Sequence, residues 1–232
     1  MTSRFVTARL IHSEALSASV SKLLLQLPEA VPFAAGQYLQ LCLTNGERRA
    51  YSIASTPGQR DLELHIGSSE RDPETLTLID QLQQSGEAQL ELPLGNAWLR
   101  HGPEPLLIVA GGSGFSYAKS LIEQSLITQP ERAISLYWGG RNRDALYLHE
   151  LAKRWANDHP HFRYLPVLDE APPGWQGLQG RVHEAVVRHE PALATHAVYV
   201  AGPFAMAAAA RSTFFAAGLP AHQLFGDAYA FI

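Results

Sequence analysis

The chain has 232 residues, a formal net charge of −4 and 46 % apolar side chains, so it can bury one large core or two small ones and is not disordered. The acidic balance excludes a basic surface that tracks nucleic acid, and no apolar run is long enough to span a bilayer. A single cysteine, Cys42, excludes an internal disulfide and any cysteine-ligated zinc or iron–sulfur site built by this chain alone.

The first hundred residues read as β-structure. Met1-Thr2-Ser3-Arg4 leads straight into a strand, with no signal-type apolar segment, so the expected compartment is the cytoplasm. Phe5 to Ile11 alternates, Val20 to Leu27 follows and stops at Pro28, and Gly36 to Leu43 is a third strand. Cys42 lies in that third strand, where it reads as a small hydrophobe. Asn45-Gly46 is a hairpin-type turn, Arg49 to Ser55 a fourth strand and Leu62 to Ile66 a fifth. Thr75 to Gln84 reads as a helix with Leu76, Ile79 and Leu82 on one face, and Glu87 to Leu92 is the sixth strand. Six short strands and one helix predict a small closed antiparallel β-barrel over residues 1–100. Within it, Arg49-Ala50-Tyr51-Ser52 places Arg49 and Tyr51 on one face and Ala50 and Ser52 on the other. Arginine can hold a phosphate, tyrosine can lie along a flat ring, and a serine hydroxyl can donate to a ring nitrogen; an ordinary half-exposed strand has the same pattern.

From residue 101 strands and helices alternate. Leu106 to Ala110 is apolar throughout and reads as a strand buried on both faces. Gly111, Gly112, Ser113 and Gly114 follow, then a helix carrying Tyr117, Ala118, Leu121, Ile122 and Leu126. A glycine turn that opens a helix brings backbone amides and the positive end of the helix dipole to an anion. The strand Ala133 to Tyr137 ends in Trp138-Gly139-Gly140-Arg141 and leads to a helix over Asp144 to Asn157. Arg163 to Leu168 is a strand, Asp169 to Gln179 a Pro/Gly-rich loop, and Arg181 to His189 a helix. His196 to Val200 is a strand that turns at Ala201-Gly202-Pro203 into the helix Phe204 to Ala217, and an apolar end, Leu224 to Ile232, docks on the body. The alternation predicts a parallel α/β sheet domain over residues 101–232 with helices on both faces, and its glycine-bearing strand ends open on one edge as a nucleotide crevice. Arg141 and Arg143 beside that edge read either as a solvated pair or as partners of an adenosine ribose or 2′-phosphate. The ten histidines show no metal-ligand spacing, so no metal is expected.

Taken in order, Arg49-Ala50-Tyr51-Ser52, Gly111-Gly112-Ser113-Gly114 and Ala201-Gly202-Pro203-Phe204-Ala205-Met206 resemble the flavin, pyridine-nucleotide and late strand-to-helix motifs of the ferredoxin–NADP+ reductase superfamily. Ala110 to Ala118, Leu136 to Arg141 and the ending Phe225 to Ile232 resemble its short bacterial NAD(P)H:flavin reductases, the luminescence-associated type among them. The resemblance implies a reaction, hydride transfer from NADH or NADPH to riboflavin, FMN or FAD. It also implies roles. Ser52 is the catalytic residue, bonded to flavin N5. Tyr51 and Ala50 lie along the flavin, Arg49 meets its phosphate, and the backbone of His65 and Ile66 meets its pyrimidine edge. Gly112, Ser113 and Gly114, with the flanking Gly111 and Phe115, line the nicotinamide nucleotide site. Gly140 and Arg141 lie towards its adenosine end, Gly202, Pro203 and Met206 close over the nicotinamide, and Asp227 lies near the reacting rings.

The chain departs from the superfamily at two places. Ala201 stands where many relatives carry cysteine, so no thiol takes part there. Arg71-Asp72-Pro73-Glu74-Thr75 stands where relatives that hold FAD tightly bind its diphosphate; carboxylates at a helix start repel one. The flavin is therefore expected to exchange as a substrate, with a flavin-dependent monooxygenase or ferric iron as acceptor of the reduced product. An alternative is an FAD-bound electron-transfer reductase that serves a separate ferredoxin, flavodoxin or oxygenase. A regulatory module that senses NAD(P)H without turnover is the third reading.

Overall fold

The computed structural model describes residues 2–43, 46–67 and 73–232. Asn45 of the expected hairpin turn, and Arg71 and Asp72 of the expected diphosphate segment, lie outside the described residues. The first half contains β1 (Arg4–Ser17), β2 (Val20–Gln26), β3 (Tyr38–Cys42), β4 (Arg48–Ser52), β5 (Asp61–Gly67), α1 (Pro73–Ser85) and β6 (Glu87–Leu94). Its strands form one antiparallel sheet in the order β4-β3-β6-β1-β2-β5. The two ends of that order meet through an Ile53–Leu64 bridge and an Ala54 N–H to Glu63 C=O bond of 2.8 Å, which closes the barrel. Strand alternation turns Leu23, Leu25, Leu39, Leu41, Leu62, Leu64, Leu90 and Leu92 inward, and all are buried. Each is worth about 1.5–3 kcal/mol of burial, and a one-residue slip would expose a whole strand's set, so the register is fixed. α1 plugs one end of the barrel with Leu78, Ile79 and Leu82. β1 runs on past Ile11, where the sequence pattern stops, because a register shift between Leu10 and His12 breaks the alternation and bends the strand.

The second half contains β7 (Leu106–Gly111), α2 (Phe115–Thr128), β8 (Ile134–Gly140), α3 (His149–Asp158), β9 (Phe162–Leu168), β10 (Leu178–Gln179), α4 (Val182–His189), β11 (Ala197–Ala201), α5 (Phe204–Ala216) and β12 (Leu224–Phe225). The strands make a parallel sheet in the order β10-β9-β8-β7-β11-β12. Leu106, Ile108 and Ala110 face a core shared with α2 and α3, while Leu107 and Val109 face one shared with α4 and α5, so helices cover both faces. Two short strands were not expected. β10 lies inside the segment expected as loop, and β12 is the docked apolar end, paired with β11 and held by Phe225 stacked 4.8 Å from Tyr199. Two-residue strands are too short to show periodicity. α3 starts later than the expected Asp144, because Arg143–Ala145 is a 3₁₀ turn and Leu146 and Leu148 fill the connection while keeping helix-like spacing. Among the described residues, no helix is long and apolar enough to cross a membrane.

α2 joins the halves. Ser116 Oγ donates to Ser52 C=O at 3.0 Å, Ser120 Oγ to Ser55 C=O at 2.9 Å, and the Tyr117 hydroxyl to Ala97 C=O. Gly36, at φ +91°, lets the barrel approach this helix: a Cβ there would meet Leu121 at 2.9 Å. The barrel wall beside β4 and the first turns of α2 are therefore one packed seam.

Candidate active site

The barrel is closed at Ile53–Leu64 and opens beyond it. Among the described residues, Arg49–Ser52 pairs only with β3, and His65–Gly67 only with β2, so no ladder joins these two stretches to each other. Backbone groups on the facing edges need partners, and a flat, hydrogen-bonding ligand could supply them. Ser52 stands at this opening. It is half-buried, its carbonyl is held by Ser116, and its hydroxyl has no hydrogen-bond partner among the described residues. Tyr51 packs against the barrel core on the face of Leu39, and Ala50 is exposed on the other face.

Arg49 shares Tyr51's face, as the alternation requires, but its charge is engaged. Nε lies 2.9 Å from Glu47, Nη2 lies 2.6 Å from Glu74, and Nη1 donates to Thr75 Oγ at 3.1 Å. Glu74 is in the first turn of α1, where it complements the helix dipole. A phosphate at Arg49 would compete with two carboxylates.

Across the opening stands the glycine loop after β7. A Cβ on Gly67 would lie 2.6 Å from Ser113 Oγ and 3.0 Å from Ser113 Cβ, so the end of β5 and the loop touch. Gly112 adopts φ +50° with open space at its missing Cβ, and its carbonyl accepts from Trp138 Nε1 at 3.0 Å. Gly114 allows contact with the β11 end: a Cβ there would sit 2.3 Å from Ala201 C=O. Gly111 makes the same kind of contact with Met206 Sδ, at 2.5 Å, beside Pro203, and Met206 also fills the space over Gly202. α2 and α5 both begin here, with no acidic residue in the first turn and no side chain capping the start. The positive ends of their dipoles favour an anion, the reverse of α1 with its Glu74.

A cavity of about 510 Å3 runs from Gly111, Gly112, Pro203 and Met206 past Gly139, Gly140 and Arg141. It lies outside the carboxyl ends of the parallel strands, where a doubly wound sheet takes its ligands. Arg141 lines the cavity and is paired at 2.9 Å with Glu170, both exposed. Arg143 faces a different hollow, near His149 and Arg154. Asp169, Arg181 and His183 also line the cavity and were not expected there. β10 and the start of α4 form a further strand end at the same edge, hidden in a segment that reads as loop.

The side chains of three expected residues are engaged by the protein itself. Phe115 has no exposed surface: its ring stacks on Trp138 at 3.8 Å, so its side chain belongs to the core and not to a ligand. The His65 side chain is likewise sealed, with Nε2 2.6 Å from Glu63 and Nδ1 2.9 Å from the Tyr147 hydroxyl, which leaves only backbone at the opening. Burial pushes the His65 ring below its ordinary value, against the opposing pull of Glu63. Burial also raises the Glu63 carboxyl, but the His65 bond and Lys119 outweigh it and hold it at about 2. Asp227 accepts hydrogen bonds from the backbone N–H groups of Ala97 and Asn96 and lines a separate cavity of about 300 Å3 with Tyr38 and Gly95. Burial raises its pKa, partly offset by those bonds. Among the described residues no cluster of His, Cys, Asp and Glu could hold a metal.

Comparison with known proteins gives the same division of labour. Residues 7–98 match the oxidoreductase FAD-binding domain family and residues 108–212 the oxidoreductase NAD-binding domain family. An NAD(P)H-flavin reductase of Vibrio harveyi is 38 % identical over 229 residues, covering 94 % of this chain and 95 % of its own. An NAD(P)H-flavin reductase of Aliivibrio fischeri is 37 % identical over 94 % of this chain and 96 % of its own. Among solved structures, the cytochrome P450 reductase of Amycolatopsis superposes with a TM-score of 0.84 at 25 % identity, over 97 % of this chain and 69 % of that one. Near-complete coverage at this identity, on a barrel and sheet with the geometry described, means that the chain belongs to the NAD(P)H-flavin reductase family of oxidoreductases.

Proposed function

We propose that this enzyme reduces free riboflavin, FMN or FAD with NADH or NADPH and releases the reduced flavin. The observation that carries the reading is the contact between Gly67 and Ser113, which brings the barrel opening against the glycine loop. The chemistry supplied by the two bound molecules is one hydride, two electrons and a proton, passing from nicotinamide C4 to flavin N5; a solvent proton completes the reduced flavin.

The chain's own part is to position. Ser52 donates from its free hydroxyl to N5, and the backbone of His65–Gly67 meets the pyrimidine edge. Gly111, Gly112 and Ser113 line the nicotinamide, with Pro203 and Met206 over it. Gly140 and Arg141 take the adenosine end. Holding two reactants in line replaces a bimolecular encounter and accounts for most of the rate. Residues 1–100 form the flavin unit and residues 101–232 the dinucleotide unit, with α2 at their seam. The engagement of Arg49 by Glu47 and Glu74 supports a flavin that exchanges. A flavin-dependent monooxygenase or ferric iron would then take the electrons from reduced flavin, in the cytoplasm.

The test is NAD(P)H oxidation by desalted protein as flavin is titrated in. The rate is expected to rise from near zero and saturate. A protein that is already yellow, with a rate that ignores added flavin, would instead be an FAD-bound reductase with a protein partner.

A further inference from the structure

The cavity at the sheet edge contains a polar group that no protein atom satisfies. His183, in the first turn of α4, is only 7 % exposed and lines the cavity beside Arg181. Its Nδ1 is sealed from solvent and has no hydrogen-bond partner. Nε2 also lacks a partner among the described residues but is not sealed, so it is the nitrogen that meets the open space. A neutral imidazole carries one proton. A sealed N–H without an acceptor is worse than a sealed lone pair, so the proton belongs on Nε2, directed to the cavity. Burial pushes the ring below the ordinary histidine value, helped by Arg181 and opposed by Glu184 and Asp169, so the donor is uncharged at neutral pH. A ring kept only for packing would be served better by phenylalanine; a donor that faces the cavity and has no protein partner calls for a ligand.

The position in the cavity selects which part of the ligand. Val182, the next residue back, packs where a Cβ on Gly139 would be, at 2.8 Å. That puts the start of α4 over the end of β8, one strand out from Gly111, on the side of Gly140, Arg141 and Asp169. We propose that His183 is a dinucleotide-binding residue that donates from Nε2 to an oxygen of the adenosine half of NADH or NADPH. The inference rests on the cavity being the dinucleotide site. An uncharged donor serves a ribose hydroxyl and a phosphate alike, so it strengthens both dinucleotides without choosing between them.

The test is calorimetric titration of the whole protein with ADP-ribose and, separately, with nicotinamide mononucleotide. His183→Phe keeps the ring volume and removes the donor. It is expected to weaken ADP-ribose binding about tenfold, the size of one lost hydrogen bond to ligand, and to leave mononucleotide binding unchanged. Its melting temperature should equal or exceed that of the parent, because an unsatisfied polar group has gone. His183→Gln, which carries a donor at the same reach, should bind ADP-ribose within about threefold of the parent by the same reasoning. NAD+ and NADP+ should lose affinity by the same factor in the phenylalanine variant. ADP-ribose bound equally by the parent and His183→Phe, or as weakly by the glutamine variant as by the phenylalanine variant, overturns the proposal. A parent that binds ADP-ribose, loses it with His183→Phe and fails to reduce flavin overturns the function and leaves the role of His183 standing. A parent that does not bind ADP-ribose overturns the cavity assignment and this role with it.

Discussion

Single side chains divide here into those held ready and those already engaged. Ser52 has a hydroxyl without a partner among the described residues, at the point where the barrel opens. Ser52→Ala is expected to lower kcat about 100- to 1,000-fold, in line with removal of one preorganised donor, with the KM for NAD(P)H unchanged. Equal turnover in steady-state assays would remove Ser52 from the chemistry. Arg49 is the opposite case, since Glu47 and Glu74 already hold it. Glu74 is largely exposed, so the pair is weak and the effect of breaking it modest. Glu74→Gln should lower the KM for FMN by about threefold and leave riboflavin, which has no phosphate, unaffected. A change of equal size for both flavins would show that Arg49 does not read the phosphate. Gly114 is fixed by space: a methyl group there would sit 2.3 Å from Ala201 C=O. Gly114→Ala should destabilise by about 1–3 kcal/mol, read as a lower denaturant midpoint.

At the scale of elements, β5 and α2 are tied by a partly buried polar chain, in which Tyr147 bonds His65, His65 bonds Glu63 and Glu63 pairs with Lys119. The Glu63 carboxyl is held at about 2 against an ordinary value of 4.5, so its stabilisation is full above pH 4.5 and is lost as pH falls towards 2. The His65 ring, lowered from 6.5, likewise stabilises the fold above that pH and loses this below it. Both work in one direction, and Glu63 alone is worth on the order of 2–3 kcal/mol. The melting temperature should be level above pH 7 and fall through pH 5 to pH 3; a level profile down to pH 3 would contradict the assignment. Which elements could be read beforehand follows from how local their signals are. Leu106 to Ala110 declares itself because every residue is buried, and Arg49 to Ser52 because alternation fixes its faces. Arg181 and His183 could not be read, because their place in the cavity depends on β10, two residues long. Phe115 was misplaced because a motif gives the path of the backbone, while its ring follows Trp138 into the core.

Over the whole molecule, the two sheets are joined through α2. Ser120 is fully buried and bonds across to Ser55, so Ser120→Ala removes a link between the halves as well as a hydrogen bond. It should cost about 1 kcal/mol, seen as a lower melting temperature. α2 and α5 carry no acidic residue in the first turn, whereas α1 at the barrel and α4 at the cavity do.

Gly67 facing Ser113 sets a mechanical tolerance. The barrel contributes no side chain at that point, so the width of the gap is defined by backbone on one side and the small Ser113 side chain on the other. A methyl group at residue 67 would act as a shim about as thick as the misalignment that costs a reaction a hundredfold. On the proposed function, the spacing of the two reactants would rest on the absence of a single carbon atom at residue 67.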